Sequence, residues 1–462
     1  MHNGNSFLRQ KFRQLSIPQT LVLYYSLAIL LGAVLLATPF AAHGQPLSFL
    51  DALFTATSAQ CVTGLIVVDT GTKLTLFGQL VVLFLIQIGG LGIMTFSVYL
   101  FIYLRVGVST RGRWIINETL MHSPIGTWRE LIKSIFMLTL VIEALGALLL
   151  AWVLVPQLGL WEGIYSAIFH SISAFCNAGF SLFSDSMVQF SGNSLLNATL
   201  IALIVLGGIG FLVLRELLDV GAQWRKHPRK PLRISLHSKI VLVASAFLIV
   251  YGALMIAWLE QDNTLAGLSL LEGFWTSLFQ SVTTRTAGFN TLDLAQFRAP
   301  TLFLMIFLMF IGASPGSAGG GIKTTSMALF FAVFYNRLRG SRHVTLFRRT
   351  IPDEAITKAL ALTLLAFILI GIAIFFLIIA HAPDMAHEGE REFLSYTFEA
   401  FSAFSTVGLS VGATAELNSA GKMVVIALMF VGRVGMLTMA FAIAGGVNRF
   451  APRYAEENIM IG

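Results

Sequence analysis

Charge is scarce in this 462-residue chain: Asp, Glu, Lys and Arg together make up 11% of it, against about a quarter in a typical soluble domain. That shortage excludes an ordinary water-soluble fold. Cysteine is nearly absent too. Cys61 and Cys176 make no disulfide framework, and no bridge between them is expected because they occupy matching places in two separate turns. Also missing are a Gly-x-Gly-x-x-Gly after a strand, a metal-spaced His/Cys cluster and a nucleophile with a base beside it. No enzyme, no organic cofactor and no nucleotide site on this chain are therefore expected. His170 stands alone on a short apolar segment and is expected to be structural.

What the chain has is apolar length, with 56% of its residues hydrophobic. A spanning helix takes roughly 20 apolar residues. Eight runs qualify: 21–37, 76–104, 131–155, 195–214, 240–259, 301–334, 359–380 and 421–444. Within each successive pair of runs lies a shorter apolar segment that ends in a glycine turn: SAQCVTGL at Gly64, SAFCNAGF at Gly179, SVTTRTAGFN at Gly288 and SAFSTVGL at Gly408. Phe54, Phe169 and Phe398 stand ten residues before their glycines and Ser58, Ser173 and Ser402 six before; the third copy has Leu278 and Val282 there. A second set of glycines, Gly89, Gly207, Gly312 and Gly432, keeps register in the following spans, where the missing Cβ permits bending or close approach.

Two registers repeated four times predict an all-α polytopic membrane protein of four membrane-helix, pore-helix, membrane-helix repeats. That makes eight transmembrane helices and four re-entrant pore helices, with pseudo-fourfold symmetry around one ion pore. The repeats are expected at 21–104, 128–216, 237–334 and 355–446, between a basic N-terminal tail 1–20 and a C-terminal tail 447–462. The tails and three connecting loops hold 23 of the 30 basic residues. Lys and Arg are retained inside, so both termini are expected to be cytoplasmic and the short helices to enter from outside. The net charge of +7 reflects this sidedness and gives no support for a nucleic-acid partner. Carboxylates dominate the other side, where they either concentrate cations or are ordinary solvated loop charges.

Non-helical backbone within a bilayer is tolerated only where protein buries it or water reaches it. Four converging turns supply a ring of carbonyls, which can replace the hydration shell of a monovalent cation. The residues placed there are Val62, Thr63 and Gly64; Asn177, Ala178 and Gly179; Thr286, Ala287 and Gly288; and Thr406, Val407 and Gly408. None is acidic, which disfavours a divalent ion.

The run 301–334 would be about 50 Å long as one helix, against a hydrocarbon core of roughly 30 Å. Its middle must break into an intramembrane loop of Ala313, Ser314, Pro315, Gly316, Ser317, Ala318, Gly319, Gly320 and Gly321. Gly316, Gly321, Lys323 and Thr324 nearly fit a phosphate-binding loop, but with one residue too many and no preceding strand. Three ionisable groups lie inside spans. Arg433 stands where Gly90, Gly208 and Ala313 stand in the other repeats; Lys323 follows the loop; Glu143 is either a bundle contact or a partner for Arg433.

The motifs CVTGL with VVDTG, SISAFCNAGFSLFSDSM, TTRTAGFNT, GGGIKT and GRVG resemble those of the Trk/Ktr/HKT superfamily of potassium transporters, over residues 21–444. The resemblance implies potassium ion as the transported species, a selectivity filter with one glycine per turn, and a homodimer in the bacterial inner (plasma) membrane, surrounded by membrane lipid. It also implies a cytosolic nucleotide-binding regulatory ring on another polypeptide. Loop 313–321 becomes a gating loop, and Arg433 its partner. Passive conduction and sodium-stimulated uptake, with sodium ion as the second species and the protein as a symporter, both remain open. Met436 after Gly435 and Ala318 in the loop depart from the family pattern of proline and threonine. The competing reading is an ion-coupled secondary transporter of a small solute. It calls for inverted repeats meeting at the midplane, whereas these four run in one direction.

Overall fold

In a computed structural model of the chain, the described residues are 16–106, 128–226, 234–341, 343–381 and 389–444. The expected C-terminal tail and all but the end of the N-terminal tail fall outside them. The first repeat comprises α1 (Ile17–Leu36), α2 (Phe49–Gln60) and α3 (Leu76–Val106); the second comprises α4 (Trp128–Leu158), α5 (Leu160–Phe175), α6 (Ser194–Ile209) and α7 (Phe211–Lys226). The third has α8 (Leu236–Glu260), α9 (Leu270–Thr283), α10 (Ala299–Phe310) and α11 (Thr324–Leu338), followed by a small hairpin of β1 (Thr345–Leu346) and β2 (Arg349–Thr350). The fourth has α12 (Asp353–His381), α13 (Gly389–Ser405), α14 (Ser419–Val434) and α15 (Met436–Ala444).

Among the described residues, five helices are long and apolar enough to cross a membrane unaided: α1, α3, α4, α8 and α12. The other three crossings are interrupted, and only one interruption follows from the sequence argument. Segments 195–214 and 421–444 were expected as single helices, but Gly210 (φ 98) separates α6 from α7 and Gly435 (φ 89) separates α14 from α15. The first break turns the chain by 103°. Helix α7 therefore runs at a steep angle to α6 as an amphipathic helix carrying Arg215, Arg225 and Lys226, where a loop was expected from Asp219 onward.

The short helices α2, α5, α9 and α13 form the centre. Phe54, Phe169 and Phe398 are fully buried, and in the third repeat Phe279, one residue later than the equivalent Leu278, fills the same role. Side chains fix the starts of α2 and α9: Ser48 and Ser269 accept the N–H three residues on, and Ser269 completes a capping box with Glu272. The longer helices wrap this core and leave Leu148, Trp152, Phe247, Leu254 and Phe375 exposed on their outer faces. Such a surface suits lipid and no aqueous solvent.

Candidate functional site

All four short helices run into a left-handed turn, and the turn is strained. Two residues before each turn glycine stands a non-glycine residue with positive φ: Val62 (56°), Asn177 (59°), Thr286 (69°) and Thr406 (50°). For β-branched side chains this is an outlier conformation. Paired backbone bonds hold it in three repeats: Val62 N–H to Ala59 and Thr63 N–H to Ser58, Asn177 to Ala174 and Ala178 to Ser173, Thr406 to Ala403 and Val407 to Ser402. This is a Schellman ending with valine, asparagine or threonine where glycine is usual. The third repeat, with Val282 in place of serine, uses Ala287 N–H to Thr283 O instead. Side chains pin the next residues: Ser58 and Ser402 accept from Gly64 and Gly408, while Ser173 and Thr283 donate to the carbonyls of Phe180 and Phe289.

The turns close on each other in sequence order. A Cβ on Gly64 would lie 2.5 Å from the carbonyl oxygen of Ala178, one on Gly179 2.8 Å from that of Ala287, and one on Gly288 2.5 Å from that of Val407. One on Gly408 would be closer still to that of Thr63. Each glycine thus leaves room for its neighbour's carbonyl, and the fourth contact returns to the first repeat. The glycines of the second register let the following spans approach the re-entrant helices: a Cβ on Gly89, Gly207 or Gly432 would strike the carbonyl of Gln60, Phe175 or Phe404. Gly312 instead faces Gly320 of the loop.

Outside the ring lies a cavity of about 420 Å³ whose lining includes all four turn glycines with Asp69, Asp185 and Asp293. Asp69 and Asp293 stand five residues after their glycines and Asp185 six, where the fourth repeat has Ala413 and Thr414. Burial works to raise the pKa of Asp69, but hydrogen bonds from Thr72, Ser184 and Gly71 outweigh it and hold the carboxyl below its ordinary value. The loops after the second and fourth turns are tied from beneath by residues at one register position. His170 Nε2 meets Ser181 Oγ and accepts Leu182 N–H, with Nδ1 facing Ser166 O; Glu399 accepts from Ser410, Val411 N–H and Thr414. His170 is structural here. Glu399 escaped the sequence argument, although a carboxylate nine residues before a turn glycine, where His170 stands in repeat two, was a signal.

Beneath the ring the loop 313–321 crosses between α10 and α11 and is sewn to the other repeats. Ser314 N–H donates to Gly208 O, Ala318 N–H to Gly207 O, and Phe211 N–H to Gly316 O. The break at Gly210 strands those groups, and the loop satisfies them. Arg433 Nη1 donates to Ala318 O and Nη2 to Gly89 O at 2.7 Å; Lys323 Nζ donates to Gly319 O at 2.8 Å. Tyr25, fully buried, also donates to Gly89 O and so shares the carbonyl with Arg433; nothing in its sequence context marks it. Glu143 does not meet Arg433: it accepts from Gln87 Nε2 at 3.1 Å and faces Cys176 Sγ at 3.9 Å. Cys61 and Cys176 are free thiols. Arg285 is buried behind the third turn.

A family model described as TrkH, cation transport protein, matches residues 9–446. The Ktr system potassium uptake protein B of Bacillus subtilis (strain 168) is 41% identical over 98% of both chains, and that of Vibrio alginolyticus is 40% identical over 96% of this chain and 95% of its own. The potassium/sodium uptake protein NtpJ of Enterococcus hirae is 36% identical over 97% of this chain and 98% of its own. Among solved structures, the potassium transporter TrkH from Vibrio parahaemolyticus shares the fold, with a TM-score of 0.70 and 21% identity over 91% of this chain and 83% of that one. With four strained turns in a closed ring and a family match over nearly its whole length, this multi-pass membrane chain belongs to the TrkH family of cation transport proteins.

Proposed function

We propose that this chain is the membrane subunit of a potassium uptake system, with the ring of four turns as its selectivity filter and loop 313–321 as its gate. The observation that carries the reading is the closed ring itself: non-glycine residues in left-handed backbone, each next to a carbonyl seated on the preceding repeat's glycine. Carbonyls of Val62, Thr63 and Gly64 and their equivalents would replace the water around a potassium ion. The C-terminal ends of α2, α5, α9 and α13 add partial negative charge at the same level. The outer carboxylates would raise the local cation concentration. Arg433 and Lys323, bound to carbonyls of the loop, place two cationic groups beneath the ring, and an ion passes when they and the loop move aside.

Homodimerisation, a cytosolic nucleotide-binding ring acting on the loop, and residence in a bacterial inner membrane with both termini cytoplasmic complete the proposal. They rest on the family and on the basic connections between repeats. Sodium is the second ion to test, because the Enterococcus hirae relative is a potassium/sodium uptake protein. Uptake of K⁺, Rb⁺ and Na⁺ into proteoliposomes, measured per inserted molecule, tests the reading. Preference for K⁺ and Rb⁺ over Na⁺ is expected; equal uptake of all three removes the filter assignment.

A further inference from the structure

In the third and fourth turns a threonine side chain lies against the backbone of the loop beneath. Thr406 Oγ1 accepts the backbone N–H of Gly320 at 3.0 Å, within a fully buried contact. A Cβ on Gly320 would overlap that same oxygen, and one on Gly319 would overlap Thr286 Oγ1. The two glycines therefore lay bare loop backbone against two threonine side chains. Val62 has no hydroxyl to offer, and the amide of Asn177 turns to Arg285 O and Thr286 Oγ1 in the neighbouring turn.

We propose that Thr406, through its bond to Gly320, joins ion preference and loop position into one equilibrium: the docked loop holds the fourth turn in its discriminating shape, and a withdrawn loop leaves a less selective ring. This rests on reading the ring as filter and the loop as gate. A β-branched residue at positive φ persists only where its surroundings over-determine it. The backbone bonds of Thr406 to Ala403 and Val407 to Ser402 supply part of that constraint, and Gly320 supplies the rest from outside the repeat. Withdrawal would strip the Gly320 N–H of its buried acceptor as well, so turn and loop each favour the docked state. Thr406 acts here as a positioning residue, through its side chain.

The test uses the full chain in proteoliposomes, reading Rb⁺ uptake and its competition by Na⁺ per inserted molecule. Thr406→Val keeps the shape and removes the hydroxyl; Thr406→Ser keeps the hydroxyl. Each is placed on the parent and on a chain lacking residues 316–319. Thr406→Val is expected to raise basal flux and lower the Rb⁺/Na⁺ preference by about three- to tenfold, the range one buried hydrogen bond supports. Thr406→Ser should stay nearer the parent, and on the shortened loop Thr406→Val should change the preference no further. Equal shifts from valine and serine overturn the proposal, as does the same loss of preference with or without the intact loop. A shortened loop that conducts no faster than the parent defeats the gate reading alone, whatever Thr406 does. If Thr406→Val fails to insert, Thr406→Ala carries the same expectations.

Discussion

At the four turns the repeats are near copies, and below them they diverge, with only a glycine break common to the second and fourth. Each re-entrant helix is followed by a left-handed non-glycine residue two positions before its turn glycine, and each glycine meets the next repeat's carbonyl. Underneath, α3 runs unbroken through Gly89, the second repeat bends by 103° at Gly210, the third opens into a thirteen-residue connection from Ile311 to Lys323, and the fourth carries Arg433 and breaks at Gly435. An ion held by a ring needs equivalent ligands from all sides, which symmetry supplies. A plug needs one element that crosses the axis and others that hold it, which symmetry forbids. Four repeats in one chain can satisfy both demands, because each may diverge below while remaining equivalent above.

The strongest blow to that contrast would fall on the glycines of the ring. Gly64→Ser, Gly179→Ser, Gly288→Ser and Gly408→Ser each put a Cβ onto a neighbouring carbonyl and force serine into a left-handed conformation, which alone costs about 1–3 kcal/mol. Selective K⁺ uptake should fall by at least about a hundredfold at every position. One position that tolerates serine would show that the ring is not functionally symmetric.

Below the ring, Arg433→Ala removes charge-assisted bonds to Ala318 O and Gly89 O, worth about 1.5–3 kcal/mol each, and should raise basal flux roughly ten- to a hundredfold. Removing residues 316–319 should do the same, and the two together should be non-additive because they release one barrier. A folded double variant whose flux is the product of the single effects would separate arginine from loop.

Gly210→Ala sharpens the asymmetry further. Alanine resists φ 98, and its Cβ would sit 2.6 Å from Pro315 O, whereas a continuous helix would pair Phe211 N–H with Gly207 O and release the loop. A basal flux roughly five- to tenfold above the parent is expected, on the order of 1 kcal/mol. An inserted variant with parental flux would mean that the break is only a bend.

The smallest effect lies at the outer rim, where Lys422 of α14 pairs with Asp51 of α2 at 2.6 Å and joins the fourth repeat to the first. Burial works to raise the Asp51 pKa, but the Lys422 and Ser48 hydrogen bonds and the lysine charge bring it below the ordinary carboxylate value. A lowered pKa adds stability above the unfolded carboxylate pKa and loses it as pH falls through the folded one. Lys422→Met should therefore lower stability by about 0.2–1 kcal/mol at neutral pH, after allowance for solvent screening, with the difference vanishing on acidification below about pH 4. A thermal-shift series against pH reads it, and a difference that persists in acid would assign the effect to packing.

Much of the upper half was legible in the chain because local patterns encode it. Glycines in register mark the turns, and Ser58, Ser173 and Ser402 mark the pins. The breaks at Gly210 and Gly435 were not legible, since a glycine inside an apolar run equally well serves close approach, as Gly89 does against Gln60 O. Glu143 could equally well have paired with Arg433; only the packing of α3 against α4 and α5 gives it Gln87 and Cys176 instead.

The sequence by itself determined that the chain is a multi-pass membrane protein built on a fourfold pattern, and where the turns and the long third-repeat interruption fall, because hydropathy and glycine spacing act over short stretches. Only the tertiary structure decided that the turns close into a ring, that the loop borrows the stranded backbone groups of α6 and α7, and that Thr406 meets Gly320. Those contacts join residues from different repeats, some of them more than a hundred positions apart, and the need to satisfy every buried backbone group is met by whichever partner the assembled bundle brings near.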